Sequence, residues 1–280
     1  MEFSVLKNYL SKKLDWRTAE VTFTYSEVSL WSSQFGNLMF EHLPISKFKN
    51  VLDIGFGAGF PLLEIAQRFG KNSKVYGIDP WTEAVKIARK KAKILGIENV
   101  EILESDASNL DFENDFFDLA VCNLGINNFE NPEKVMSEVQ RTLKPNAKFC
   151  TTSNLSGSFE EFYQVYGETL KELGLGHLQS KLEEQKAHRG TIESFTELFD
   201  KAGLKITKKV EDKFHWRFAD GTSLLNYAFV LIGFLEGWRG IIEPEIEEQV
   251  FEKLESNLNK LAESKSELRL TIPMVYFECE

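Results

Sequence analysis

The chain is poor in the residue types that mark several classes of protein. Only three cysteines and four histidines occur in 280 residues. Cys122, Cys150 and Cys279 lie far apart and offer neither a C-x-x-C metal spacing nor a disulfide framework. We therefore expect small buried thiols, a reducing cytoplasm and no metal site.

Long apolar runs are scarce as well, and the 33 basic residues are outnumbered by 43 acidic ones. The most membrane-like run, residues 224–235, is too short to span a bilayer and contains Asn226. The N-terminus mixes lysines with apolar residues and does not read as a secretion signal. The formal net charge of −10 disfavours a nucleic-acid partner, since phosphate recognition needs a basic surface. We expect a cytoplasmic protein that binds neither membrane nor nucleic acid.

One short run is far more specific than the composition. Residues 51–59 read Val-Leu-Asp-Ile-Gly-Phe-Gly-Ala-Gly, an apolar strand followed by three glycines at alternate positions. Residues 60–69 then place apolar side chains at helical spacing, with Pro61 in the first turn. A glycine turn between a strand and a helix lets the backbone approach a ligand closely. This order is typical of nucleotide-cofactor sites.

The glycine spacing separates two cofactor classes. A dinucleotide fingerprint needs G-x-G-x-x-G, and its third glycine would fall on Phe60, which disfavours a nicotinamide-dependent oxidoreductase. An acid two residues before G-x-G-x-G resembles the first motif of the class I S-adenosylmethionine-dependent methyltransferases. Further segments resemble later parts of that family in the same order: residues 74–79, 100–107, 117–123 and 143–149.

The resemblance covers about residues 45–153 and implies the fold. We expect an α/β, doubly wound, Rossmann-like sheet of seven strands with an antiparallel last strand, plus helical cap elements. Residues 1–45 are predicted as an N-terminal helical cap segment and residues 46–280 as the methyltransferase domain. Within that domain, the sixth strand is expected at 204–210 and the last at 268–277. A helical insertion at about 213–266 reads either as a lid or as a homodimer interface.

The family also implies a cofactor site for S-adenosylmethionine. The glycine turn would admit the methionine portion, and Asp53 would brace that turn and reach the cofactor's ammonium directly or through water. Asp79 would hold the ribose, and Asp106 with the Ala107 backbone would bind the adenine. The full set of expected cofactor-binding residues is Asp53, Gly55, Phe56, Gly57, Gly59, Asp79, Pro80, Trp81, Asp106, Ala107, Asn123 and Gly125.

Acceptor-binding residues are less well defined by the sequence. Tyr25 and Trp31 precede the first strand and either pack against the core or line the substrate pocket. Asn127 lies in the loop after the fourth strand, where a doubly wound sheet binds its ligands, although Asn is also an ordinary turn residue. That loop has no Asn/Asp-Pro-Pro-aromatic motif, which makes base N-methylation a minor alternative.

The sequence thus predicts a methyltransferase acting on a small molecule of apolar or aromatic character. The alternative is a non-catalytic S-adenosylmethionine-binding sensor or assembly protein, because intact motifs establish binding better than turnover. His177, His188 and His215 are available as bases, but a lone histidine is more often structural, and no catalytic residue is assigned. The methylated atom is also left open.

Overall fold

The computed structural model describes residues 8–12, 14–27 and 30–280. The chain divides into two compact units. The sheet unit comprises Arg17–Leu155, Gly190–Asp212 and Met274–Glu280. The helical unit comprises the described residues up to Trp16, Ser156–Arg189 and Lys213–Pro273.

Seven strands form one sheet, and its central strands are almost entirely buried, as is typical of strands covered on both faces. Their order is β3-β2-β1-β4-β5-β7-β6. The first five strands pair in parallel, and β7 runs antiparallel to β5, as predicted. The strands are β1 Asn50–Ile54, β2 Lys74–Asp79, β3 Val100–Glu104, β4 Phe117–Asn123, β5 Leu143–Asn154, β6 Ile206–Phe218 and β7 Leu268–Cys279.

Helices connect these strands and also build most of the helical unit. Gly96 ends α5 in the left-handed conformation, with φ of 65°, as its position in the sequence predicts. The helices are α1 Asn8–Ser11, α2 Ala19–Glu27, α3 Leu30–His42, α4 Leu62–Phe69, α5 Thr82–Leu95, α6 Pro132–Thr142, α7 Glu160–Glu172, α8 Gln179–Ala187, α9 Ile192–Ala202, α10 Gly221–Leu225, α11 Ala228–Gly233, α12 Leu235–Arg239 and α13 Glu247–Lys265.

The core of the sheet unit lies between the sheet and helices α6 and α9. It includes Phe117, Phe149, Phe199 and Phe277, each fully buried. The three cysteines are free and buried in β4, β5 and β7, which confirms that part of the prediction. Burial raises the pKa of the Cys122 thiol to about 12, so the thiol is unreactive at neutral pH.

The helical unit has a separate, aromatic core. The rings of Phe162 and Trp238 stack with centroids 4.0 Å apart, and the Trp238 indole donates to the Tyr163 hydroxyl at 3.2 Å. Phe251 of α13 packs against Tyr166 of α7 and Tyr9 of α1. Aromatic rings in offset or edge contact add to the stability supplied by their buried area.

The last two strands differ from the prediction in detail. β6 continues to Phe218, so the predicted end of the sixth strand at residue 210 was wrong. Beyond residue 210 the strand alternates Phe214, Trp216 and Phe218 with polar residues, and aromatic side chains favour an extended chain. Pro273 lies directly before Met274, where pairing with β5 begins, so its missing N–H falls outside that ladder. The division at residue 45 and the insertion at about 213–266 stay predictions.

Candidate functional site

The turn after β1 has a backbone that favours glycine. Gly55, Gly57 and Gly59 have φ values of 76°, 54° and 108°. The Gly55 N–H donates to the Ile78 carbonyl at 2.8 Å, which ties the turn to β2. A Cβ on Gly57 would meet nothing within 4 Å, so the peptide faces open space. Phe56, in contrast, is buried beneath the turn.

Asp79, at the end of β2, fixes this turn through its carboxylate. The Gly57 N–H donates to Oδ2 at 2.7 Å, and the Trp81 N–H donates to Oδ1 at 2.8 Å. Burial raises the pKa of Asp79, although these two N–H groups oppose the effect. The sequence interpretation gave Asp79 a ligand-binding role and missed this bracing role. The carboxylate keeps further lone pairs for a ligand.

Asp53, in β1, is the least compensated charged group of the sheet unit. Its side chain is fully buried, and neither carboxylate oxygen has a hydrogen-bond partner within the described residues. Burial, and then the neighbouring Asp79 carboxylate, raise the pKa of Asp53 well above its usual value. Such a carboxyl group requires either a proton or a donor from a ligand.

The loop after β4 approaches the glycine turn. A Cβ on Gly125 would lie 2.9 Å from the Cys122 sulfur and 3.0 Å from the Ile54 carbonyl oxygen, so only glycine allows this approach. Leu124 takes the left-handed conformation, with φ of 68°. Asn123 accepts from the Thr152 hydroxyl at 2.7 Å and donates to the Ser32 carbonyl at 3.2 Å.

Asn127 uses its carboxamide within the protein. Nδ2 donates to Asn154 Oδ1 at 2.8 Å, and Oδ1 accepts from the Ser153 hydroxyl at 2.9 Å. These bonds fasten the loop after β4 to the end of β5. They give Asn127 a clear structural role, while its predicted contact with an acceptor stays a prediction.

Asp106 and Ala107 follow β3 and differ in burial. Asp106 is exposed, and its Oδ1 accepts from the Ser108 N–H at 2.8 Å. Ala107 is buried. The Ser105 N–H donates to the Asp79 carbonyl at 3.2 Å, which holds the ends of β2 and β3 together. The predicted acid therefore lies on the same edge of the sheet as Asp79.

Tyr25 and Trp31 of the N-terminal helices have different surroundings. The Tyr25 ring lies 5.5 Å from that of Trp81, which follows the exposed Pro80 after β2. Burial raises the pKa of Tyr25; a hydrogen bond with Ser32 lowers it, and the charge of Asp79 raises it. Trp31 is buried and packs against Phe35 with centroids 5.1 Å apart. Tyr25 thus lies beside the site, whereas Trp31 contacts its own helix.

One contact of α3 was missed from the sequence. A Cβ on Gly36 would lie 2.2 Å from Cζ of Phe60, so this glycine lets α3 approach the residue that follows the glycine turn. The Phe60 ring also meets that of Phe40 with centroids 6.3 Å apart. The available signal was a glycine inside an aromatic-rich helix, which usually marks close packing.

The sequence predicts neither a metal site nor a membrane-spanning segment, and the described residues bear on both expectations. No group of three His, Cys, Asp or Glu side chains within them is placed to hold a metal ion. In the same part of the chain, every helix is too short or too polar to cross a bilayer. His177, His188 and His215 all belong to the helical unit.

Comparison with known proteins gives a family match over this region. A model of a methyltransferase-domain family matches residues 45–210. The matched span contains the glycine turn, Asp79, Asp106 and the loop after β4. It includes more than half of the chain.

Two curated relatives share part of their length with this chain. Demethylmenaquinone methyltransferase of Bacillus cytotoxicus is 29% identical over 115 residues, which are 41% of this chain and 48% of that protein. Sterol 4-C-methyltransferase of Caenorhabditis elegans is 31% identical over 151 residues, which are 51% of this chain and 44% of that protein. The chain spans about half the length of these relatives.

Solved structures agree on the fold. A SAM-dependent methyltransferase from Aquifex aeolicus superposes with a TM-score of 0.53 at 20% identity. The superposition covers 71% of this chain and 93% of that one. Likeness at this level of identity establishes the Rossmann-like architecture.

Proposed function

This chain belongs to the methyltransferase-domain family of S-adenosylmethionine-dependent enzymes, and we propose that its methyl acceptor is a small apolar or aromatic molecule. The names of the two relatives denote small apolar acceptors, which supports this class. The acidic net charge and the absence of an Asn/Asp-Pro-Pro-aromatic motif argue against a nucleic-acid base.

Asp53 is the residue whose surroundings fit the cofactor best. A buried carboxylate without a partner destabilises the folded state unless a cation or a hydrogen-bond donor compensates its charge. The ammonium of the cofactor's methionine portion supplies that charge, directly or through water. We assign this role to Asp53, with the N–H groups at the start of α4 favouring the methionine carboxylate.

Asp79 and the open face of Gly57 would hold the ribose. Both Asp79 oxygens already accept one backbone N–H, so the carboxylate is fixed in orientation before a ligand arrives. Its remaining lone pairs can accept from two vicinal hydroxyls. Asp106 and the Ala107 backbone would then receive the adenine amino group, and Pro80 and Trp81 would cover an adenine face.

The rest of the predicted site would surround the transferred methyl group. Phe56, Gly55 and Gly59 shape the turn, and Asn123 with Gly125 begins the loop that borders it. Tyr25, Trp31 and Asn127 stay proposed acceptor-binding residues. When bound, the cofactor supplies a methyl group made electrophilic by its sulfonium. The protein's own task is alignment and exclusion of water, so no general base is assigned.

The unpartnered Asp53 carboxylate beside the braced Asp79 is the observation that carries this proposal. Its first test is calorimetric titration of S-adenosylhomocysteine, and separately of NADH, into wild type and Asp79→Ala. We expect wild type to bind S-adenosylhomocysteine and the variant to bind at least tenfold more weakly, a loss of about 1.4 kcal/mol. Asp111→Ala, at an exposed position of the sheet unit, is the matched control and should bind as wild type does. Binding of NADH alone would overturn the proposal.

A second assay separates turnover from binding. Labelled methyl groups should move from S-adenosylmethionine into an apolar small-molecule fraction of a cell extract. Cofactor binding without any transfer would favour the non-catalytic sensor. A cytoplasmic location, favoured by the three free thiols, belongs to the same proposal. The homodimer stays a prediction that sedimentation can test.

A further inference from the structure

Arg189 of the helical unit has an unusual environment. Its guanidinium carbon lies 5.9 Å from the ring centre of Phe159 and 5.5 Å from that of Phe234. Among the described residues, no hydrogen-bond or salt-bridge partner contacts it, and its Nη1 atom is buried. The side chain as a whole is only partly buried. A positive charge is therefore held against aromatic rings with no counter-ion from the described part of the chain.

Other partly buried cations of the chain are compensated. Arg239 pairs with Glu247, and Arg141 pairs with Glu138 at 2.7 Å. Lys186, three residues before Arg189, contacts Glu160 at 3.4 Å and Glu183 at 3.2 Å. Since a donor left buried without an acceptor is costly, the missing partner of Arg189 indicates that its acceptor comes from a ligand.

The rings around Arg189 define the rest of that ligand. Phe159 and Phe234 meet edge to face with centroids 5.0 Å apart, and Trp216 lies 5.5 Å from Phe159. Phe159 is fully buried and takes the left-handed conformation with φ of 63°, a strained state for a bulky residue. This cluster is apolar apart from the guanidinium and the indole N–H.

We propose that Arg189 binds an anionic group, a carboxylate or a phosphate, of a ligand whose apolar part packs against the Phe159–Trp216–Phe234 cluster. Arginine suits this role because its planar fork matches both anions and stacks on aromatic faces. The anion site itself rests only on the helical unit.

Binding of small probe anions tests the site directly. Benzoate and phenyl phosphate represent the two anion classes, and benzyl alcohol is the neutral probe. Tryptophan fluorescence can follow each titration, since Trp216 belongs to the cluster. We expect one anion class to bind wild type at least tenfold more tightly than benzyl alcohol, and Arg189→Met to lose that preference. Whichever anion binds identifies the class.

Controls separate this site from general charge effects. Arg217→Met removes an exposed arginine of the same unit that pairs with Glu267, and it should bind the probes as wild type does. Equal binding of anionic and neutral probes to wild type, no binding of either anion, or unchanged anion binding by Arg189→Met would each overturn the proposal.

Two further measurements distinguish its failure from that of the proposed function. Arg189→Met should bind S-adenosylhomocysteine as wild type does, because Arg189 does not contribute to the sheet unit. If wild type binds the anion but no S-adenosylhomocysteine, the proposed function fails and the anion site stands. A melting temperature of Arg189→Met clearly below that of wild type, with unchanged probe binding, would reveal a purely structural cation–π contact.

Discussion

Each of the two units holds a charged side chain with a buried atom that has no hydrogen-bond partner among the described residues, and the two charges have opposite sign. In the sheet unit it is Asp53, whose oxygens lack donors among the described residues. In the helical unit it is Arg189, whose Nη1 lacks an acceptor within the same part of the chain. A cation would compensate the first and an anion the second. We therefore expect the two units to bind chemically different ligands.

The surroundings of these charges differ in kind. Asp53 lies beneath a backbone turn whose conformation depends on glycines and on hydrogen bonds to Asp79. The Arg189 guanidinium lies against side-chain rings. A backbone site suits one fixed ligand, whereas side-chain packing is readily changed by substitution. We therefore expect variants of the helical unit to alter stability and anion binding, and variants of the sheet unit to alter cofactor affinity.

The largest effect should come from the aromatic core of the helical unit. Trp238→Ala removes a fully buried indole that stacks on Phe162, and the cavity should cost about 3–5 kcal/mol of unfolding free energy. Denaturant titration measures this loss. Under native conditions the folded protein should still bind S-adenosylhomocysteine with wild-type affinity. Trp16→Ala, at a 45% exposed position of the same unit, should cost far less. A large loss of cofactor affinity in Trp238→Ala would contradict the expectation that only variants of the sheet unit alter cofactor affinity.

The geometry of the candidate cofactor site could be predicted because its signals are local in the chain. Gly55, Gly57 and Gly59 need positive φ, and Asp79 ends a short apolar strand, so each feature follows from a few neighbouring residues. The aromatic core and Arg189 could not be predicted this way. Phe159 and Trp216 come from distant segments, and only the tertiary fold brings them together. The same limit explains why the hydrogen bonds of Asn127 to β5 were missed.

The next largest effect should arise where α3 meets the glycine turn. Gly36→Val places a Cβ about 2.2 Å from the Phe60 ring, which forces α3 or the ring to move. We expect a loss of about 1–3 kcal/mol from overpacking, together with weaker binding of S-adenosylhomocysteine. Asn37→Ala, at the adjacent exposed position of the helix, is the control. Lost stability with unchanged cofactor affinity would show that the contact does not shape the turn.

A smaller, pH-dependent effect should follow from Asp53→Asn. Because the pKa of Asp53 is raised on folding, the folded state holds a proton that the unfolded state releases above its ordinary pKa of 3.8. Stability therefore falls as pH rises through the raised pKa, and the variant avoids this loss. At pH 8 we expect its melting temperature to exceed that of wild type by about 2 °C or more. The difference should shrink as pH falls towards 4.

Affinity for S-adenosylhomocysteine separates this role of Asp53 from a purely structural one. Asp53→Asn should bind the ligand more weakly although it is more stable at pH 8, because the cofactor's ammonium loses its carboxylate. Asp111→Asn, with an exposed side chain, should change neither property. A variant that is less stable at every pH would contradict the account of Asp53 as an uncompensated carboxyl group.

The smallest effects should come from one helix cap in each unit. Thr191 caps α9 in the sheet unit, accepting from the Ser194 N–H at 3.2 Å, and Asp220 caps α10 in the helical unit, accepting from the Ser223 N–H at 2.7 Å. Thr191→Ala and Asp220→Ala should each cost about 1 kcal/mol. Hydrogen exchange should place the loss in the unit that contains the cap. If either variant weakens protection equally in both units, the units unfold as one, and the comparison applies to their ligands but not to their stability.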